Sequence, residues 1–381
     1  MHKITIIGWY GTETIGDRAI LAGVIKVLYS VYQDIEIKLG SIIPFFTERN
    51  LEEDETFLKS CSGHEDLKIE LFNSAKPKEL DASIKWCDSL CIGGGPLEDI
   101  PSMFMLEYAI KKARKMNKKT MAIGCGAGPL YKRIYQKSMV NIVNNTDLTI
   151  FRDERSLKEY LRLGGCKNDC IGTIDPAVFA LQHYKQKRQS TKESKDIIAV
   201  SVREFTSEYK MNGNINVDAI NQKIYENIQL LKEKQGTDIL LVPMHYFGIG
   251  DDDRYFMNNF CFKNKTEGID VQNKVLDMES TMRLFSEANF CVGMRFHSVV
   301  FQTILNGRNM VWDYTDLKSG KIGAFISQVK GTEYYKNSYL NLQVDSDKDL
   351  SFPNEPFKVD DEIINDYENQ YVSLIKSKLI Q

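Results

Sequence analysis

Two periodicities alternate along this chain, stop once, and start again. Short apolar runs of strand length, Ile4–Gly8, Ile35–Leu39, Ser89–Gly93, Thr120–Gly124 and Leu148–Arg152, are separated by longer segments. Those segments, Gly16–Val31, Met103–Met116 and Ser156–Leu163, repeat apolar residues at helical spacing. Strand-helix alternation of this kind folds into a parallel sheet with covering helices. The polar stretch Gln182–Asp196, rich in Lys, Gln and Ser, breaks the rhythm and reads as a linker. Beyond it, strands are expected at Ile197–Val202, Asp238–Val242 and Asn309–Trp312. Helices are expected at Val217–Glu233, Asp277–Ala288 and Gly320–Val329. The polar stretch Thr47–Glu65 fits neither period. The expected plan is an N-terminal α/β domain over 1–181, a linker over 182–196 and a C-terminal α/β domain over 197–358. A helix in 359–381 is expected to pack back on the first domain. A chain of 381 residues exceeds what one core usually serves. Two such domains are expected to face each other across one cleft lined by the carboxyl ends of both sheets.

Charge narrows the function classes. The formal net charge is −3 with both signs interspersed, so no nucleic acid is expected as a partner. No apolar run reaches the length of a membrane span. The start Met1-His-Lys-Ile-Thr-Ile reads directly as a strand, and no signal peptide is expected. The eight Cys are scattered, and Cys91, Cys125 and Cys291 sit in apolar strand-like settings. They read as buried thiols of a reducing compartment, hence a cytoplasmic location. Cys166 and Cys170 form a close pair with no second pair nearby, so no zinc site is expected. Oligomeric state is left open.

Chemistry is expected at the strand ends. Val292-Gly-Met-Arg-Phe-His-Ser298 lies where a strand hands over to a helix, the place where open α/β sheets bind ligands and helix N-termini favour anions. Arg295 there offers a fork of donors for a carboxylate or phosphate, and His297 can give or take a proton near neutral pH. Arg152, Arg203, His245 and Lys318 follow other strands, so the strand ends gather a cationic set suited to an anion. The first strand runs into Gly8–Asp17, a turn containing Gly11 in which Asp17 can cap the next helix. Its glycine spacing is neither the dinucleotide pattern nor a P-loop. The runs Gly93-Gly94-Gly95 and Gly124-Cys-Gly126-Ala-Gly128 read as turns whose backbone N–H groups face an anionic or sugar ligand, or as close loop packing.

Taken in order, Ile15-Gly-Asp17, Gly93-Gly-Gly95, Gly126-Ala-Gly-Pro129, Arg152-Asp-x-x-Ser156, Asp175-Pro176, Ser201-Val-Arg203, Pro243-Met-His245 and Gly293-Met-Arg-Phe-His-Ser298 form a set. With it, most of the chain resembles the polysaccharide pyruvyl transferase family. Two departures from that family's usual pattern stand out: Thr14-Ile-Gly-Asp-Arg18, where Asn-x-Gly-Asp-Glu is common, and Cys125, where Gln is common. The resemblance implies a GT-B-like fold of two Rossmann-like domains, the first on the acceptor side and the second on the donor side. It implies phosphoenolpyruvate as the donor substrate, with no cofactor and no metal. The acceptor would be a glycan of a cell-surface polysaccharide or its precursor. Whether that glycan is lipid-linked at the inner membrane face, with the enzyme peripheral to the membrane, stays open. On that reading Arg295, Lys318, Arg203 and Arg152 hold the donor, and His297 is the acid/base with His245 second. Gly11, Asp17, Gly94, Gly95, Gly126 and Gly128 cradle the acceptor. A GT-B glycosyltransferase using a nucleotide sugar, or a sugar- or phosphate-binding module without catalysis, are the competing readings.

Overall fold

The computed structural model describes residues 1–128, 130–166, 169–188, 195–209, 215–247, 251–315, 320–345 and 352–380. From the N-terminus the elements run β1 (His2–Ile7), α1 (Ile15–Val31), β2 (Ile35–Ser41), α2 (Pro44–Glu53), α3 (Glu55–Ser62), β3 (Ile69–Asn73), α4 (Pro77–Trp86), β4 (Ser89–Leu97), α5 (Ser102–Lys115), β5 (Lys119–Ala127), α6 (Arg133–Asn145), β6 (Leu148–Phe151), α7 (Glu154–Arg162), β7 (Cys170–Gly172) and α8 (Ala177–Lys187). They continue with β8 (Lys195–Ser201), α9 (Val217–Gln235), β9 (Asp238–Leu241), α10 (Asp253–Asn264), β10 (Ile269–Val271), α11 (Met278–Glu287), β11 (Ala288–Gly293), α12 (Phe296–Leu305), β12 (Asn309–Asp313), α13 (Lys321–Gln328), α14 (Thr332–Tyr335), β13 (Tyr339–Asn341) and α15 (Asp361–Ile375). The chain forms two compact units. One holds Met1–Glu13, Asp17–His183 and the segment from Asp361 onward; the other holds Thr14–Gly16 and Tyr184–Asp360.

The first unit is built on a seven-stranded parallel sheet of order β3-β2-β1-β4-β5-β6-β7. Helices cover its strands, which explains why β4 is buried along its length except at Pro96. Leu80 and Ile84 of α4, Leu106 and Ile110 of α5 and Met139 and Ile142 of α6 pack into one core with Leu90 and Ile92 of β4. Helix α15 belongs to this unit: Tyr371 donates to the Ile174 carbonyl at 2.7 Å and its ring meets Phe179.

The second unit repeats the plan with six parallel strands, β10-β9-β8-β11-β12-β13. The strand order reverses between β8 and β11, which are neighbours in the sheet but far apart in the chain. Crevices at such switch points, outside the carboxyl ends of the strands, are where open α/β sheets take ligands. Arg203 follows β8, and Arg295 and His297 follow β11.

Three expectations need correction. Helix α8 runs to Lys187 and buries Gln182, so the composition of 182–187 belongs to a helix end and not to a linker; residues 189–194 lie outside the described set. Thr47–Glu65, which fitted neither period, lies largely in α2 and α3, whose inward residues include Asn50 as well as Phe57, Leu58 and Cys61. A helix that buries hydrogen-bonded polar groups leaves no clean apolar stripe to read. The glycine runs are not turns after strands: Gly93–Gly95 lie inside β4 and Gly124–Gly126 inside β5, with Gly95 facing Cys125 and Pro96 facing Gly126 in register. Among the described residues no helix is long and apolar enough to cross a membrane.

Candidate functional site

The centre of the site is a carboxylate that the sequence pattern did not single out. Asp253, at the first turn of α10, is 1% exposed and accepts from the Arg295 guanidinium along one edge. The distances are 2.8 Å from Nε and 2.5 Å from Nη2. The same carboxylate accepts the backbone N–H groups of Met244 and His245, each at 3.1 Å. One side chain thus ties the turn after β9 to the turn after β11. A buried ion pair is tolerable only when its remaining hydrogen-bonding capacity is used, and here it is. Arg295 occupies the N-cap position of α12, where its own carbonyl accepts from the Ser298 hydroxyl at 2.7 Å. The clamp uses the Nε–Nη2 edge of the guanidinium and not the edge that carries Nη1.

Three acids in a row before a helix, Asp251-Asp-Asp253, suggest a simple helix start, but Asp252 alone makes the cap. Its carboxylate caps α10 through Arg254 N at 3.0 Å and accepts Phe247 N at 3.0 Å. Asp251 instead approaches Arg203 Nη2 at 3.5 Å. Arg203 is buried, with its guanidinium 5.9 Å from the Tyr314 ring and its Nε donating to the Glu204 carbonyl. Three consecutive carboxylates therefore serve three different partners. The signal was available: one helix needs one cap, so the other two acids required cations elsewhere.

His297, half-buried, and His245, 7% exposed, complete the cluster in this unit. Three residues at the start of α1, Thr14–Gly16, join them. Thr14 makes an antiparallel bridge to His245, and Ile15 N donates to the Met244 carbonyl at 3.2 Å. Gly16 lies so close to His297 that a Cβ there would stand 2.0 Å from the ring Nδ1. Glycine at position 16 is therefore what lets the imidazole occupy its place. The imidazole also packs edge-on to Phe296 at 5.0 Å.

The other expected site residues fall differently. Arg152 belongs to the first unit, is 4% exposed, and gives Nη1 to Asp175 at 3.2 Å. Gly126 makes room for it, since a Cβ there would meet Arg152 Nε at 2.6 Å. A Cβ at Gly94 would strike Ile20, at Gly95 Trp9, and at Gly11 Ser41 and Ile43. These strand-end glycines accommodate the chain's own side chains, which is the close-packing reading. Gly128 has more open surroundings, Leu130 N at 3.3 Å being the near neighbour. Asp17 lies inside the first turn of α1 instead of at its cap, and its carboxylate accepts from Thr12 Oγ1 at 3.1 Å. Lys318 lies outside the described residues.

Both departures from the family pattern are absorbed locally. Arg18 is buried and pairs through Nε with Asp54 at 2.5 Å and through Nη2 with Glu53 at 3.1 Å. The Cys125 thiol is fully buried, which pushes its pKa up to about 12 although Arg152 acts against the shift, so it stays protonated and is no nucleophile. Among the described residues no three His, Cys, Asp or Glu side chains are grouped to hold a metal.

Solved structures with the same architecture include UDP-GlcNAc 2-epimerases. The enzyme from Neisseria meningitidis, solved with UDP-GlcNAc bound, superposes with a TM-score of 0.54 at 14% identity, over 91% of this chain and 96% of that one. The enzyme from Rickettsia bellii gives 0.54 at 12% identity over 100% and 99%, and that from Methanocaldococcus jannaschii 0.52 at 14% over 95% and 98%. At these identities the likeness establishes the fold, two Rossmann-like domains of GT-B-like class. No curated protein matches the sequence. The polysaccharide pyruvyl transferase model matches residues 15–308, a span that opens at the first residue of α1, next to Gly16, and takes in Asp253, Arg295 and His297 themselves. By that match this chain is a member of the polysaccharide pyruvyl transferase family.

Proposed function

We propose that the protein transfers the pyruvyl group of phosphoenolpyruvate to a sugar of a cell-surface polysaccharide or its precursor, forming a ketal. The observation that supports this best is the Asp253-held Arg295 beside His245 and His297 at the switch point of the second sheet. Protonation of the donor's methylene carbon makes C2 electrophilic. A sugar hydroxyl adds to C2, phosphate leaves, and a second hydroxyl closes the ketal. Of the two hydroxyl protons displaced, one balances the proton given to the methylene carbon and the other departs with phosphate. His297 is the proposed acid/base, with His245 as the second candidate. Arg295 and Arg203 are the proposed contacts for the donor's carboxylate and phosphate, with Lys318 in the same set. Arg152 stays in the proposed donor set, and there a ligand would compete with Asp175 for the guanidinium.

The acceptor side is proposed around Asp17 and Gly128, because Gly11, Gly94, Gly95 and Gly126 are taken up by packing. The proposed setting is the cytoplasm, with the enzyme acting on a glycan carried on lipid. The deciding experiment incubates the protein with phosphoenolpyruvate and lipid-diphosphate glycans, and follows phosphate release and pyruvyl addition by mass spectrometry. Arg295→Ala is expected to weaken donor binding by about 1.5–3 kcal/mol, roughly 10- to 150-fold. A nucleotide-sugar enzyme would instead be stabilised by UDP; a Tm rise of several degrees with UDP and none with phosphoenolpyruvate would replace this reading.

A further inference from the structure

Residues 102–145 carry nine Lys and Arg and a single acidic residue, Glu107, inside a chain whose net charge is −3. These basic residues sit on α5, on α6, at the start of β5 and in the turns beside them. The two helices pack on one another, and Phe104 of α5 stacks on Tyr135 of α6 at 5.0 Å. On α5 the residues at 104, 108, 111 and 115 follow helical spacing and are all exposed, so Phe104, Tyr108, Lys111 and Lys115 form its outer stripe. At the start of α6, Tyr131, Lys132, Arg133 and Ile134 are exposed in succession. Tyr131 is 73% and Ile134 59% exposed, whereas globular surfaces usually hide such side chains. The turn that presents them is held in place: Asp99 accepts the backbone N–H of Tyr131 at 3.1 Å and of Lys132 at 2.9 Å. Exposed rings and an aliphatic tip set among Lys and Arg match the interface of an anionic bilayer, where rings sit at headgroup level and cations meet lipid phosphates. A purely electrostatic partner such as nucleic acid would make no use of Ile134.

We propose that the α5–α6 face is a docking surface for anionic phospholipid bilayers. The Tyr131–Ile134 part of this face follows the carboxyl end of β5, so docking there would bring the first unit to the surface that carries a lipid-linked acceptor. That consequence rests on the function proposed above, but the binding itself does not, because it is read without any substrate. The test is co-sedimentation of the full chain with vesicles of about one-third phosphatidylglycerol in phosphatidylcholine, and with phosphatidylcholine alone. The protein is expected to pellet with the first and stay in solution with the second. Lys132→Glu with Arg133→Glu should lower vesicle affinity about 30-fold or more, taking roughly 1 kcal/mol per cation. Ile134→Ser should weaken binding while leaving its salt dependence intact. Thermal melts of these variants should match the parent, since all three positions are exposed. Equal pelleting with both vesicles, unchanged pelleting of the double variant, or capture by soluble heparin without vesicle binding would each overturn the proposal.

Discussion

The carboxyl ends of the two sheets are built from opposite materials. In the first sheet the carboxyl-terminal halves of β4 and β5 carry glycines, and the volume they leave is filled from within by Trp9, Ile20 and Arg152. In the second sheet the ends of β8, β9 and β11 lead into Arg203, His245, Arg295 and His297, and acids of a single turn hold both arginines and the His245 backbone. A glycine-rich strand end is often taken as a ligand cradle, and a charged one as a surface. Here the glycines seal the first end by packing, while the charges of the second are fixed by Asp251 and Asp253. Reactive groups kept in place by neighbours are what an active site needs before substrate arrives.

The comparison breaks most sharply at His297. If the second sheet end carries the chemistry, His297→Ala loses about 10²–10⁴ in turnover with folding and phosphoenolpyruvate affinity retained. Steady-state rates beside calorimetric binding check this, and wild-type turnover would move the acid/base elsewhere. Next in size is Asp253→Ala, which strands the Arg295 guanidinium with one partner removed. A loss of about 3–5 kcal/mol is expected in denaturant unfolding, together with weaker donor binding. If Arg295→Ala and the double variant show the same donor affinity as Asp253→Ala, the acid acts through the arginine.

Gly95→Ala tests the sealed end. A Cβ there would lie 1.8 Å from Trp9 Cδ1, on a residue whose φ is +82°, so about 1–3 kcal/mol of stability should be lost with donor affinity unchanged. Intact stability with lost acceptor binding would restore the cradle. The smallest effect expected is at Asp252. Burial opposes its ionisation, but Arg254 and the N–H groups of Phe247 and Arg254 outweigh it, and the carboxyl sits below its usual range. A lowered carboxyl pKa contributes stability above the unfolded value of about 3.9, lost as pH falls through the folded value. Asp252→Asn should therefore cost about 0.5–1 kcal/mol at neutral pH, and its unfolding curve should converge with the parent's below about pH 4.

Much of this architecture was legible because strands buried on both faces must be apolar. The runs at Ile4, Leu90 and Val200 announced themselves, and the turn at Arg295–His297 stood out by lying between such a run and a helical stripe. The short strands β3, β10 and β13 were missed, since three to five residues at a sheet margin carry little pattern. The role of the glycines stayed open for a different reason: what a missing Cβ leaves room for depends on partners distant in the chain, Trp9 for Gly95 and Arg152 for Gly126. The same distance concealed Asp253, whose partner Arg295 lies 42 residues on. Charge averaged over the whole chain also hid the basic surplus of α5 and α6.

Thr14–Gly16 are counted with the second unit although the chain enters and leaves them through the first. Suppose acceptor preference were to be exchanged between relatives by recombining genes at a junction near residue 184. Every such chimera would inherit the three residues bordering His245 and His297 from the wrong parent. A graft that keeps Thr14–Gly16 with residues 184–360 should preserve the histidines' surroundings, and lineages that shuffle first domains successfully should show the same discontinuous inheritance.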